Sequence, residues 1–304
     1  VILDLRKKNC YNKYIKRKGL QLALTDIIRQ EKSGLILTPV IDNHLFISSN
    51  KTKEKRAGRF HPSSAYHLLT CMTRGYFMYQ GYDREPISPS LAKIFGIGHA
   101  IHNLVTTWFD GAKILTASNL PLVNKKYNFK GELDNLIFNL SDNHIVEVKS
   151  IVDTKFDKLI EGYPQHEAQL QIYMWMFNEM LKLTHEERVK LYIEFDIDKK
   201  KAVWASNVFK KIKEPTTKGI LYYVNKIYII NNGKDDFFPS IRINPNMNKE
   251  YVIDFDQTSV DKIFEATKEL NSWLKKGTPP PQKLDPNSRD CKYCDCFKLC
   301  WLKK

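Results

Sequence analysis

One short stretch of the chain sets carboxylates and a lysine at spacings that chemistry can use. In Ile145-Val146-Glu147-Val148-Lys149 the period is that of a strand, so Ile145, Glu147 and Lys149 share one face and Val146 and Val148 the other. A carboxylate and an ammonium thus stand together on a strand whose opposite face is apolar. The polar turn Ser141-Asp142-Asn143 predicts a hairpin between this strand and residues 133–140. That hairpin brings Asp134, from Gly131-Glu132-Leu133-Asp134, back to the end of the pair where Lys149 and Ser150 lie. Phosphodiester hydrolysis uses such parts. Hard oxygen ligands hold Mg²⁺ or Mn²⁺, the metal stabilises charge on the phosphate and acidifies a bound water, and a cation orients that water. The competing reading is an ordinary Glu-x-Lys ion pair on an exposed strand, since surface charge pairs are common and contribute little.

The cysteines form a second group. Four of the six, Cys291, Cys294, Cys296 and Cys300, fall within the last 14 residues, while Cys10 and Cys71 stand alone. In an intracellular protein such crowding points to metal or cluster ligation rather than to disulfides. The four tail cysteines would by themselves supply the thiolates of a local zinc site.

Helices and strands must hold these groups. His61-Pro62-Ser63-Ser64 suits a helix start, and the helix should run through Leu68, Leu69, Met72 and Phe77 with Cys71 inside it. From Leu91, residues Ile94, Phe95, Ile101, Leu104, Val105 and Trp108 follow helical spacing and carry His99 and His102 with them. Another helix is expected over 165–183, and strands at 191–195, 219–230 and 251–255. Residues 257–276 read as helical, and Gly277-Thr278-Pro279-Pro280-Pro281 ends that helix ahead of the cysteine tail. Residues 1–58 read as a basic N-terminal extension, helical at 20–29 and strand-like at 34–48 with a break at Pro39.

Forty-eight Lys+Arg against 34 Asp+Glu give a formal charge of +14 and a pI near 9.3, a balance that draws polyanions. Nucleic acid is the leading partner and an anionic membrane surface the weaker one. No apolar run approaches the ~18 residues that a membrane span needs, and no signal-peptide core opens the chain, so a cytoplasmic protein is expected, in the host cytoplasm if phage-encoded. With 42% hydrophobic residues in 304, one large domain or two small ones can bury a core.

The order of these groups resembles that of a known family. Gly131-Glu132-Leu133-Asp134 followed by Ile145-Val146-Glu147-Val148-Lys149 resembles the divergent PD-(D/E)XK signature of RecB-type nucleases. Upstream, Gly98-His99-Ala100-Ile101-His102 is similar to that group's Gly-x-x-x-His motif, which implies that His102, not His99, is a metal ligand. Downstream, Gln169-Leu170-Gln171-Ile172-Tyr173 resembles its Gln-x-x-x-Tyr motif, and an i, i+4 pair shares a helix face, so Gln169 and Tyr173 would both face the site and contact DNA. Cys291-x-x-Cys294 with Cys300, paired with the distant Cys71, resembles the iron-sulfur members: AddB-type proteins and CRISPR-associated exonucleases. In these a 4Fe-4S cluster staples the two ends of the domain. Cys296 departs from that pattern and keeps a zinc site open as the alternative.

The resemblance implies an α/β fold, a mixed sheet flanked by helices as in restriction endonuclease-like nucleases, over residues 59–304 with the cysteine tail at 284–304. It implies that Asp134, Glu147 and His102 hold Mg²⁺ or Mn²⁺ with the Val148 carbonyl, that Lys149 positions water, and that Cys71, Cys291, Cys294 and Cys300 hold the cluster. The expected substrate is DNA, single-stranded or with free ends, cut as an exonuclease in recombination, repair or phage replication. Residues 184–215 would then be an insertion. No Gly-x-x-x-x-Gly-Lys-Ser/Thr loop is present, so a helicase motor would be borrowed from a partner or dispensed with. Two other readings stand beside this one: a non-catalytic nucleic-acid-binding or scaffolding protein with a zinc tail, and an RNA-directed nuclease.

Overall fold

A computed structural model of the chain describes residues 37–51, 58–82, 86–139, 142–228, 241–242, 248–292 and 294–301. Cys10, the helix expected at 20–29 and most of the basic N-terminal clusters lie outside these residues. By packing the chain divides into two units, residues 1–55 with 83–97 and residues 56–82 with 98–304.

In the first unit, helix α1 (Leu37–Lys51) replaces the strands expected there. Pro39 does not oppose this, because it lies in the first turn, where backbone N–H groups have no intrahelical partner to lose. Asp42 of α1 pairs with Lys93 at 2.6 Å.

The second unit is built on a mixed sheet. Strands β1 (Leu115–Asn124), β2 (Phe129–Asn139) and β3 (Asp142–Val152) form an antiparallel meander. β4 (Lys218–Tyr228) runs parallel to β3, and β6 (Asn248–Asp254) antiparallel to β4, giving the order β1-β2-β3-β4-β6. The two-residue β5 (Ile241–Arg242) pairs with the far end of β4. β1 was not evident in the sequence. It carries Pro121, which a sheet tolerates best at its edge, and β1 is an edge strand.

Helices cover both faces. α4 (Pro89–Gly111) touches β4 through Phe109 and Tyr222, while α6 (Pro164–Leu181) touches it through His166 and Tyr223. Adjacent strand residues point to opposite faces, so α4 and α6 sandwich the sheet. This covering explains why Ile145, Val146 and Val148 are all buried although they alternate in direction. α6 is itself buried from Ala168 to Phe177, with α2 (Ala65–Thr70) and α9 (Gln257–Lys276) packed on it. α9 has the limits read from the sequence. Asp256 caps its first turn, and Gly277, at φ 70°, closes it in the left-handed conformation.

Two expectations change here. Residues 61–77 are not one helix but the 3-10 turn Pro62–Ser64, α2, and α3 (Met72–Tyr79), broken at Cys71, whose φ and ψ of −147° and 79° lie outside the helical region. Residues 191–195 are not a strand. They end α7 (His185–Glu194), which a capping box of Thr184 and Glu187 starts, and α8 (Lys199–Phe209) follows it. The short helices α5 (Asp153–Phe156), α10 (Arg289–Lys292) and α11 (Phe297–Trp301) complete the set. No described helix is long and apolar enough to cross a membrane.

Candidate metal centre and cysteine cavity

The β2–β3 ladder runs from Asn139↔Asp142 to Asn135↔Val146 and stops there. Beyond it the strands separate, and the Asp134 carboxylate takes the place of the missing backbone partner, accepting from the Val148 N–H at 2.9 Å. In an extended strand the N–H and C=O of one residue point to the same side, so the Val148 carbonyl faces the same gap. The gap is filled from both faces. α4 presents His102, whose Nδ1 lies 3.3 Å from Asp134 Oδ2, and one turn later Thr106, which donates to the buried Asn135 at 2.8 Å. His99 is exposed on another side of the helix. Gly98, one turn before His102, lies over Ser150.

α6 enters from the opposite face. Glu147 Oε1 accepts from Lys149 Nζ at 2.5 Å and from Gln169 Nε2 at 2.7 Å, and Lys149 donates in turn to Gln169 Oε1 at 3.2 Å. Glu147 is 2% exposed, and burial together with the nearby Asp134 charge pushes its carboxyl up to about 7 against the pull of Lys149. Burial lowers the Lys149 ammonium, but Glu147 and then Asp134 outweigh it and hold the group above its ordinary value. The second carboxylate oxygen, Glu147 Oε2, is buried without a hydrogen-bond partner. A buried acceptor left unmatched costs about 1–3 kcal/mol, more when charged.

Asp134 stands between His102 and the Val148 N–H, and the orphaned Glu147 oxygen has the chemistry that a divalent cation would satisfy. Among the described residues, however, the ligand atoms of His102, Asp134 and Glu147 do not all lie within 4.8 Å of one another.

Tyr173 shares the Gln169 face of α6 but serves the backbone. Its hydroxyl donates to the Glu132 carbonyl at 2.8 Å, bracing β2 two residues before Asp134. Gly131 makes room for it, since a Cβ there would come within 2.8 Å of both Tyr173 and Pro62. Burial, then Glu147 and Asp134, raise the Tyr173 phenol well above its ordinary value.

His166, which no sequence motif marked, also belongs to this region. Its Nδ1 meets the Tyr223 hydroxyl at 2.8 Å, and that hydroxyl accepts from the Tyr163 N–H at the start of α6. Burial and the Lys149 charge press its pKa down to about 3, so it is neutral.

The cysteines make a separate site. Cys71, at the break between α2 and α3, shares a cavity of about 220 Å³ with Cys291, Cys294 and Cys300 of the tail. Arg74 binds the tail through Asp295 at 3.2 Å, and the Thr73 hydroxyl donates to the Pro280 carbonyl at 3.2 Å. Cys296 is buried in the core and does not line the cavity. Its N–H donates to Cys294 Sγ at 3.4 Å, and Cys294, Asp295 and Cys296 offer donor atoms within 4.8 Å of one another. The hydrogen bond from Cys296, then the Arg74 charge, hold the Cys294 thiol down at about 6 despite burial. Burial raises Cys71, and pushes Cys300 up to about 11. Four thiols around one cavity fit a cluster, and the Cys294-Asp295-Cys296 trio fits a smaller ion.

No protein-family model matches the chain, and no curated protein sequence matches it. Among solved structures, the alkaline exonuclease LHK-Exo from Laribacter hongkongensis aligns with 77% of this chain and 93% of its own, at 9% identity and a TM-score of 0.43. LHK-Exo in complex with dAMP aligns over the same shares at 12% identity and a TM-score of 0.41. Likeness of this degree carries no functional weight.

Proposed function

We propose that this chain is a divalent-metal-dependent deoxyribonuclease of the PD-(D/E)XK type, acting as an exonuclease on DNA with free ends. The observation that carries the reading is Glu147, buried, with one oxygen held by Lys149 and Gln169 and the other without a partner beside Asp134. Asp134, Glu147, His102 and the Val148 carbonyl would hold Mg²⁺ or Mn²⁺. Such an ion, when bound, stabilises charge on a phosphate and lowers the pKa of its water. Lys149, fixed by Glu147 and Gln169, orients the attacking water and offsets charge as it develops on the phosphate. Gln169 keeps Lys149 and Glu147 in register, and Tyr173 holds β2 so that Asp134 stays in the gap.

Cys71, Cys291, Cys294 and Cys300 are assigned to a 4Fe-4S cluster that closes residues 59–304 into one nuclease domain. The Cys294-Asp295-Cys296 trio favours a second reading, a zinc ion held by the tail alone. DNA as the substrate accords with the excess of basic charge, and a cytoplasmic role in end processing with a helicase as partner belongs to the same proposal.

The test is cleavage of end-labelled single- and double-stranded DNA and RNA with Mn²⁺, Mg²⁺ or chelator. Cleavage of DNA should need the metal, and Glu147→Ala and Lys149→Ala should each abolish it while DNA binding at low salt persists. Normal cutting by both variants would overturn the assignment.

A further inference from the structure

The helices α7 and α8 sit between α6 and β4, and no motif explains them. They are nevertheless built firmly onto the strand that carries Asp134. The Phe195 carbonyl, at the end of α7, accepts from Arg59 at 2.9 Å and from Lys130 of β2 at 3.0 Å, and the Arg59 guanidinium lies 5.0 Å over the Phe195 ring. At the start of α8, Lys201 Nζ pairs with Glu132 Oε2 at 2.9 Å. Glu132 and Asp134 are alternate residues of one strand, so the residue that Lys201 grips lies about 7 Å along β2 from Asp134.

Packing fixes which side of α8 faces out. Ala202, Ala205, Ser206, Val208 and Phe209 are buried, which leaves Lys200, Trp204 and Asn207 on the outer side at i, i+4 and i+7. Lys210 and Lys211 continue this side beyond the helix end, also exposed. Residues 199–213 contain six lysines and no carboxylate. Among the described residues, Lys200, Lys210 and Lys211 have no ion-pair partner, and Trp204, 41% exposed, has no ring contact. An aromatic plane flanked by free ammonium groups suits a strand with phosphates outside and unpaired bases to stack. A second copy of this chain suits it poorly, because two such faces would bring lysines together.

We infer that the outer face of α8 is a track for single-stranded DNA leading to or from the metal site, with a base stacked on Trp204 and phosphates held by Lys200 and Lys211. The inference rests on the nuclease reading above and deepens it. From Lys200 to Lys211 the track spans about 16 Å at the helical rise.

The test is binding of a fluorescein-labelled oligo(dT) 20-mer and a blunt duplex by the whole protein in chelator, so that cleavage plays no part. Trp204→Ala should weaken binding of the single strand about 5- to 150-fold, the loss expected for one stacked base, and leave duplex binding unchanged. Trp204→Phe should retain most of the affinity. The pair Lys200→Gln with Lys211→Gln should make the dependence of log affinity on log salt shallower by about 1.4, the value for two phosphate contacts to a single strand. Wild-type affinity and slope in Trp204→Ala and in the double lysine variant would overturn the track. So would a dimer in sedimentation that Trp204→Ala splits while DNA binding stays intact. If Trp204-dependent binding is found but no metal-dependent cleavage, the nuclease reading fails and the track stands. Cleavage with Trp204-independent binding has the reverse meaning.

Discussion

Burying Glu147 without saturating its second oxygen has a cost that should be visible in the metal-free protein as an unusual dependence of stability on pH. The folded state lifts this carboxyl from its ordinary 4.5 to about 7, so folding favours the protonated form. The stability linked to that proton is therefore complete below about pH 4.5 and is lost as pH rises through 7. Between pH 5 and 8 the loss is roughly 2–3 kcal/mol at 1.36 kcal/mol per pH unit of displacement. His166 opposes it. Held neutral with a pKa of about 3, it contributes stability that is present above pH 6.5 and lost on acidification, about 2 kcal/mol at pH 5. The wild-type curve should accordingly be almost flat across this range. Glu147→Gln removes one of the two opposed effects and exposes the other. Urea unfolding in chelator at pH 5, 6, 7 and 8 should show the variant losing stability towards acid while the wild type does not, the gap between them changing by roughly 2–3 kcal/mol. Slope rather than absolute stability is the observable, because the variant also strips Lys149 of its counter-charge. Parallel curves for the two proteins would refute the assignment of a strained carboxylate at position 147.

Two further outcomes are expected. His102→Ala should lower metal-dependent cleavage far more than His99→Ala and weaken Mn²⁺ more than Mg²⁺ activity, since imidazole suits the transition metal better, and equal losses in the two variants would remove His102 from the site. Anaerobically purified protein should be brown with iron and sulfide in equal amounts, and Cys71→Ala should lose colour and thermal stability, whereas a colourless Cys71→Ala variant that keeps one zinc would establish the tail-only site.

The layout of Glu147, Lys149, Gln169 and Tyr173 could be read in the sequence because these residues lie on regular elements. Strand alternation places Glu147 and Lys149 on one face, and helical spacing carries Gln169 one turn from Tyr173. What the sequence hid is set by tertiary contacts. The separation of β2 from β3 at Asp134 depends on a side chain replacing a backbone bond, and no local signal marks it. Leu191-Tyr192-Ile193 has the composition of a strand, yet the capping box two turns earlier and the burial of Tyr192, whose hydroxyl reaches the Pro121 carbonyl, make it helical. His166 is placed by Tyr223, 57 residues away in the chain. Cys71 was expected within a helix, but the break in the helix there lets its thiol face the tail cavity.

The two sites meet in the first turns of α6. Gln165 lines the cysteine cavity, and Gln169, one helical turn on, holds both Glu147 and Lys149. Between them His166 and the Tyr163 N–H share the Tyr223 hydroxyl, which ties the same turn to β4. The 3-10 turn leading to α2 adds a second link, because Pro62 packs on Gly131 at the approach to Asp134. A group bound between Cys71 and the tail would close nearly the whole second unit into one loop, and such closure acts mainly by restricting the unfolded chain, with a benefit that grows slowly with loop length. In this fold it would also act locally. Fixing α2 against the tail fixes Pro62 over β2 and Gln165 at the head of α6, the two supports on which Asp134 and Gln169 depend. On the proposed reading, a cysteine site remote from Asp134 and Glu147 would thus set their geometry without contributing a ligand to them.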